Sequence, residues 1–141
     1  TGQGASLTIP LGDMSLVVST SQMDVGGTED SSSGGALTMA AGNGTLSLGV
    51  ETTSGDTAAN EGEAYSISYS TTLGGASVAV GYSGYDANST TSSRTDVTMS
   101  QSIGGGASIF AEFQNLTGAG VAAEGNSTSE SVVAVGTSVS F

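Results

Sequence analysis

Four tight-turn signals stand almost evenly along this chain, near positions 12, 43, 74 and 105, about 31 residues apart. Each is flanked by runs that alternate between apolar and small or polar residues. Leu7, Ile9 and Leu11 lead into Gly12-Asp13, and Leu16 and Val18 lead out. Leu37, Met39 and Ala41 face Leu46, Leu48 and Val50 across Gly42-Asn43-Gly44. Tyr65, Ile67 and Tyr69 face Val78, Val80 and Tyr82 across Leu73-Gly74-Gly75. Val97 and Met99 face Ile109, Ala111 and Phe113 across Gly104-Gly105-Gly106. A period of two sends successive side chains to opposite faces of a strand, and Gly tolerates the positive φ of a tight hairpin turn. The pattern predicts an all-β antiparallel meander of hairpins. Pro10, inside the first run, puts that strand at an edge or a bulge.

Between the hairpins lie polar segments, 21–35, 52–63, 83–93 and 115–130, which read as long loops rich in Ser, Thr, Gly and acids. A ninth strand closes the chain from Ser131 to Phe141. There Val133, Val135, Val139 and Phe141 share one parity and Ala134, Gly136, Ser138 and Ser140 the other. Short turns on one side and long connections on the other are the plan of outer-membrane barrels. The strands, roughly seven to eleven residues, approach the ~9–11 that cross a bilayer at a tilt. The C-terminal pattern Gly136, Val139, Phe141 resembles the signal that the barrel-assembly machinery reads.

The segments Leu73–Tyr82, Ile103–Glu112 and Val132–Phe141 resemble the C-terminal strands of general porins from marine and photosynthetic alphaproteobacteria. The similarity covers about residues 64–141. It implies a transmembrane β-barrel in the outer membrane, surrounded by outer-membrane lipid, with short periplasmic turns and long acidic outer loops. It also implies a homo-oligomer, usually a trimer, passing small hydrophilic solutes by diffusion. An antiparallel meander closes on an even number of strands. About nine strands therefore point to a single barrel segment over 1–141, the C-terminal part of a porin-like barrel whose N-terminal strands are missing. The opening Thr-Gly-Gln-Gly, without Met or signal peptide, fits a mature product or a fragment.

Composition narrows the chemistry. One base, Arg94, stands against 13 acids, so nothing neutralises phosphates and a nucleic-acid partner is excluded. With no Cys and no His, thiol and imidazole chemistry are absent, no catalytic triad assembles, and an enzyme is not expected. No run of 18 apolar residues provides a transmembrane helix. Glu51, Arg94, Asp96 and Glu112 fall opposite the apolar parity of their strands, where a barrel has its lumen; they are the expected pore-lining residues, and Arg94 and Asp96 can pair. Three acids to one base predict a mild preference for cations. Most other acids fall in the polar segments. There Glu29-Asp30, or Asp56 with Glu61 and Glu63, could hold Ca²⁺, although no cofactor is required. Tyr65, Tyr82, Tyr85, Phe113 and Phe141 are expected in aromatic girdles, while Phe110 has the wrong parity for lipid. The alternative to a channel is a structural fibre or filament subunit outside the cell, in which apolar faces bury against a second sheet.

Overall fold

A computed structural model describes residues 2–56, 61–87, 90–118 and 129–139. They form one nine-stranded antiparallel sheet in sequence order: β1 (Gly2–Leu11), β2 (Met14–Val25), β3 (Thr28–Ala41), β4 (Gly44–Gly55), β5 (Gly62–Leu73), β6 (Ala76–Ala87), β7 (Thr90–Gly104), β8 (Ala107–Gly118) and β9 (Ser129–Val139). The four expected turns are present. Gly74 and Gly75, both at positive φ (60° and 88°), join β5 to β6 in a conformation that any Cβ would strain. At the second turn, the Tyr69 hydroxyl donates to the Ala41 carbonyl (3.1 Å) and the Thr71 hydroxyl to the Asn43 carbonyl (3.0 Å). Pro10 sits on edge strand β1, whose free side demands no amide donor.

The polar segments expected as loops are largely strand. β2 runs on to Val25 and β3 starts at Thr28, so residues 21–35 form a hairpin around Gly26-Gly27. β4 extends to Gly55, β6 to Ala87 and β8 to Gly118, and β5, β7 and β9 begin at Gly62, Thr90 and Ser129. Thr and Ser fit a pleated sheet, and a ladder needs only backbone groups. Polarity marks where these strands leave apolar surroundings, and hydrogen bonding continues past that point.

Register places the alternation on two continuous faces. One cross-strand row carries Leu11, Met14, Met39, Leu46, Tyr69, Val80, Val97, Phe113 and Val133, all on the apolar face. That face has no cover: among the described residues only Ala76 and Gly84 are buried, and Val133 and Val135 are 70% and 77% exposed. A sheet with so little core is unstable alone in water; lipid or another apolar surface must cover it.

Successive turns slide along the strands. The last pair of the first hairpin, Leu11–Met14, lies in the row just named. The last pair of the second, Ala41–Gly44, lies about two residues beyond it, Leu73–Ala76 about four, and Ala107 on β8 about six. A bulge at Ser102/Gly104 adds one residue to β7. The stagger is about one residue per strand, which at ~3.3 Å rise and ~4.8 Å spacing tilts the strands by roughly 35°, the tilt of a closed barrel. The apolar band follows the turns and crosses the hydrogen-bonded rows obliquely. This geometry fits a lipid slab perpendicular to a barrel axis, and a flat stacked fibre has no use for it. β1 and β9 run in the same direction, so antiparallel closure takes an odd number of further strands between them.

Glycines on the sheet are seats for aromatic rings. Gly84 lies opposite Tyr65, and a Cβ there would enter the ring; Tyr65 in turn lies 6.0 Å from Tyr82, centroid to centroid. Gly84→Ala should destabilise the sheet by about 1–3 kcal/mol, read as a lower unfolding temperature in detergent. Combining it with Tyr65→Ala should recover part of the loss. An undiminished loss in the double variant would show that the ring is not what the methyl group meets.

Candidate functional site

The second face is built from small and hydroxyl-bearing residues, and it is the concave one. A hollow of about 540 Å³ spans it, lined from β2 to β8 by residues including Val17, Ala36, Glu51, Ser66, Arg94 and Leu116. All four residues expected on this face stand there. Glu51 on β4 lies between Gly34 and Ala64, Arg94 on β7 between Ser83 and Leu116, Asp96 between Gly81 and Gln114, and Glu112 on β8 between Thr98 and Ala134.

Three of the four are brought together. Arg94 Nε donates to Asp96 Oδ1 at 2.6 Å, with the side chains 48% and 24% exposed. At that exposure the pair is worth at most ~1 kcal/mol, so its role is to place charge. Asp96 faces Gln114, whose Nε2 donates to Glu112 Oε1 at 2.6 Å. Arg94, Asp96, Gln114 and Glu112 thus form a zigzag over two strands. Gln114 was not singled out by the sequence; its signal was its place two residues from Glu112 on the same parity. Glu51 stands apart, three strands away, roughly 14 Å at ~4.8 Å per strand.

Tyr85 is corrected. It lies on the concave face opposite Ala64 and Ser92, its hydroxyl leaning over Gly62, so it does not join Tyr65 and Tyr82 in a lipid-facing girdle. Counting from Tyr82, an odd step changes the face. Phe110 also lies on the concave face, as its parity requires, opposite Ser100 and Gly136.

The acids beyond the apolar band lie mostly on strand ends, not in loops: Asp24 on β2, Glu29 and Asp30 on β3, Glu63 on β5, Asp86 on β6 and Glu130 on β9. The Glu29 amide donates to Asp56 Oδ2 (3.0 Å), and the Asp56 amide returns a bond to the Glu29 carbonyl (3.2 Å). The expected calcium sites at Glu29-Asp30 and at Asp56, Glu61 and Glu63 do not form: among the described residues no three carboxylates converge as metal ligands. Glu29, Asp30 and Glu63 stand on extended strands, whereas a calcium loop would wrap its ligands round one point. Gly136 and Val139 sit on β9 opposite Phe110 and Ala107; Phe141, and Glu124 among the acids, lie outside the described residues.

No family model and no curated protein matches the sequence. Solved structures match the fold. An anion-selective porin from Comamonas acidovorans superposes with a TM-score of 0.73 at 16% identity, over 83% of this chain and 38% of that one. A loop L8 deletion mutant of OmpT, an outer membrane protein of Vibrio cholerae, gives 0.69 at 12% identity, over 94% and 51%. OccK10 (OpdN) of Pseudomonas aeruginosa gives 0.66 at 15% identity, over 97% and 51%. The chain spans between 38% and 51% of the length of these proteins. Its nine-stranded meander has the fold of a segment of a porin-type β-barrel.

The chain has no Cys, so single-cysteine variants report each face cleanly. Asp96→Cys and Ser68→Cys should react with a membrane-impermeant maleimide in proteoliposomes, while Val97→Cys and Ile67→Cys should be protected. Equal labelling of both sets would refute the assignment of faces.

Proposed function

We propose that this chain forms part of the wall of an outer-membrane channel through which small hydrophilic solutes diffuse. One observation carries the reading: the apolar band follows the staggered turns around a concave, hydroxyl-rich face. A lipid-embedded, water-filled barrel needs both features at once. The porin-type folds of the similar structures support the same location in the outer membrane. Within this reading the chain is the C-terminal part of a general porin of the alphaproteobacterial type. It assembles as a trimer and is delivered by the barrel-assembly machinery through the Gly136, Val139, Phe141 pattern.

Selectivity is proposed from this chain's own charges. Glu51, Asp96 and Glu112 stand on the concave face against Arg94 alone, whose charge Asp96 offsets. The acids on the strand ends beyond the apolar band carry the same sign. Such a wall raises the local concentration of cations and favours their passage. The Comamonas protein is described as anion-selective; at 16% identity its wall charges are not this chain's.

Planar-bilayer recordings of the native protein test the proposal. Discrete conductance steps should appear, with a reversal potential in a KCl gradient that favours K⁺. Asp96→Asn, which frees Arg94, should lower the cation-to-anion permeability ratio by about twofold, and Arg94→Gln should raise it. Filaments with a cross-β spacing and no conductance would support the fibre instead.

A further inference from the structure

The concave face changes character along its width. From Ser32 onward, through β3 to β6, its strand positions hold Gly, Ala, Ser and Thr, with Glu51 and Tyr85 the exceptions. On β8 and β9 the same face carries Phe110, Leu116 and Val132, interleaved with Glu112 and Gln114. Phe110 and Val132 are 39% and 44% exposed on the side where the channel reading places water. A lone exposed apolar group needs no reason, but two on one strip around a carboxylate, with half-buried Leu116 beside them, make a surface of mixed chemistry.

The geometry around Glu112 is specific. The Phe110 ring reaches across to β9 and lies over Gly136, where a Cβ would come within 2.5 Å of Cζ. Phe110 and Glu112 stand two residues apart on one strand, a backbone separation of roughly 6.6 Å at ~3.3 Å per residue. Gln114 holds the carboxylate at 2.6 Å. Thr98 and Ala134, its cross-strand neighbours, are too small to screen it. Val132 lies diagonal to Glu112, about 7–8 Å away. An aromatic ring attracts a cation within about 6 Å of its face, a carboxylate accepts charge-assisted N–H bonds, and a nearby apolar side chain suits an alkyl group.

We propose that Phe110 and Glu112, with Val132, form a contact site in the pore wall for small organic ammonium ions that carry an apolar group. The site rests on the channel reading and gives its cation preference a solute class. Three probes separate the contributions: n-hexylammonium, methylammonium with the same charge and almost no tail, and hexanoate with the same tail and opposite charge. Added to the native protein in planar bilayers, hexylammonium should reduce the K⁺ current at several-fold lower concentration than methylammonium, and hexanoate should have little effect. Phe110→Leu keeps an apolar cover on Gly136 and removes the π face; it should weaken block by hexylammonium by about 2–5-fold, and Phe110→Trp should restore it. Glu112→Gln should weaken block by both ammonium ions, whereas Val132→Ser should weaken only that by hexylammonium. Equal block by the two ammonium ions, block by hexanoate at the same concentration, or no response to Phe110→Leu would overturn the site while the open-channel current in the same traces leaves the channel standing. Absence of any discrete conductance would overturn both.

Discussion

The interstrand backbone ladder is the constraint on which everything else here depends. In hydrocarbon, water satisfies no amide or carbonyl, so a membrane-spanning strand must exchange all its hydrogen bonds with neighbours. The meander achieves this for β2 to β8, each paired on both sides with its sequence neighbours, while β1 and β9 are paired on one side. Once the ladder carries the backbone, the side chains are free to answer to two solvents. This explains how the sheet manages with almost no buried core. In the channel reading, outward Leu, Val, Ile and Met meet lipid, where they need no protein partner, and inward Ser, Thr and Gly meet water.

The same ladder sets the shape. A stagger of about one residue per strand converts a row of hydrogen bonds into a helical path around a barrel, so rows and membrane planes diverge. Aromatic rings on glycines then serve two ends. Tyr65 over Gly84 and Phe110 over Gly136 cover bare backbone on opposite faces. On the apolar face such a ring covers backbone among other apolar groups; on the concave face it offers an aromatic surface where most neighbours are hydroxyls.

Much of this was legible in the sequence because parity is a local property. The alternation of Leu46, Leu48 and Val50 told which way Glu51 points, and the spacing of the Gly turns told how many strands there are. What misled was polarity. Residues 21–35 have the composition of a loop, yet Ser31, Ser32 and Ser33 pair with Ser54, Thr53 and Thr52 in a regular ladder. Composition reports the solvent a residue meets and says little about whether its backbone is paired. Tyr85 and the acidic clusters depart from expectation for related reasons: proximity to a strand end does not decide which face a ring takes, and proximity in sequence does not bring carboxylates to one point.

What the sequence determined by itself was therefore the strand, the turn and the face, since each depends on neighbours within a few residues. Only the tertiary structure decided what lies side by side across strands. The placement of the Arg94–Asp96 pair beside the Gln114–Glu112 pair, the seat of Phe110 on Gly136, and the slide of the apolar band all depend on register. A shift of one residue would turn every side chain of a strand to the other face without altering that strand's own pattern. Register is set by the two sides of each hairpin together, which is why no single stretch of the sequence contains it.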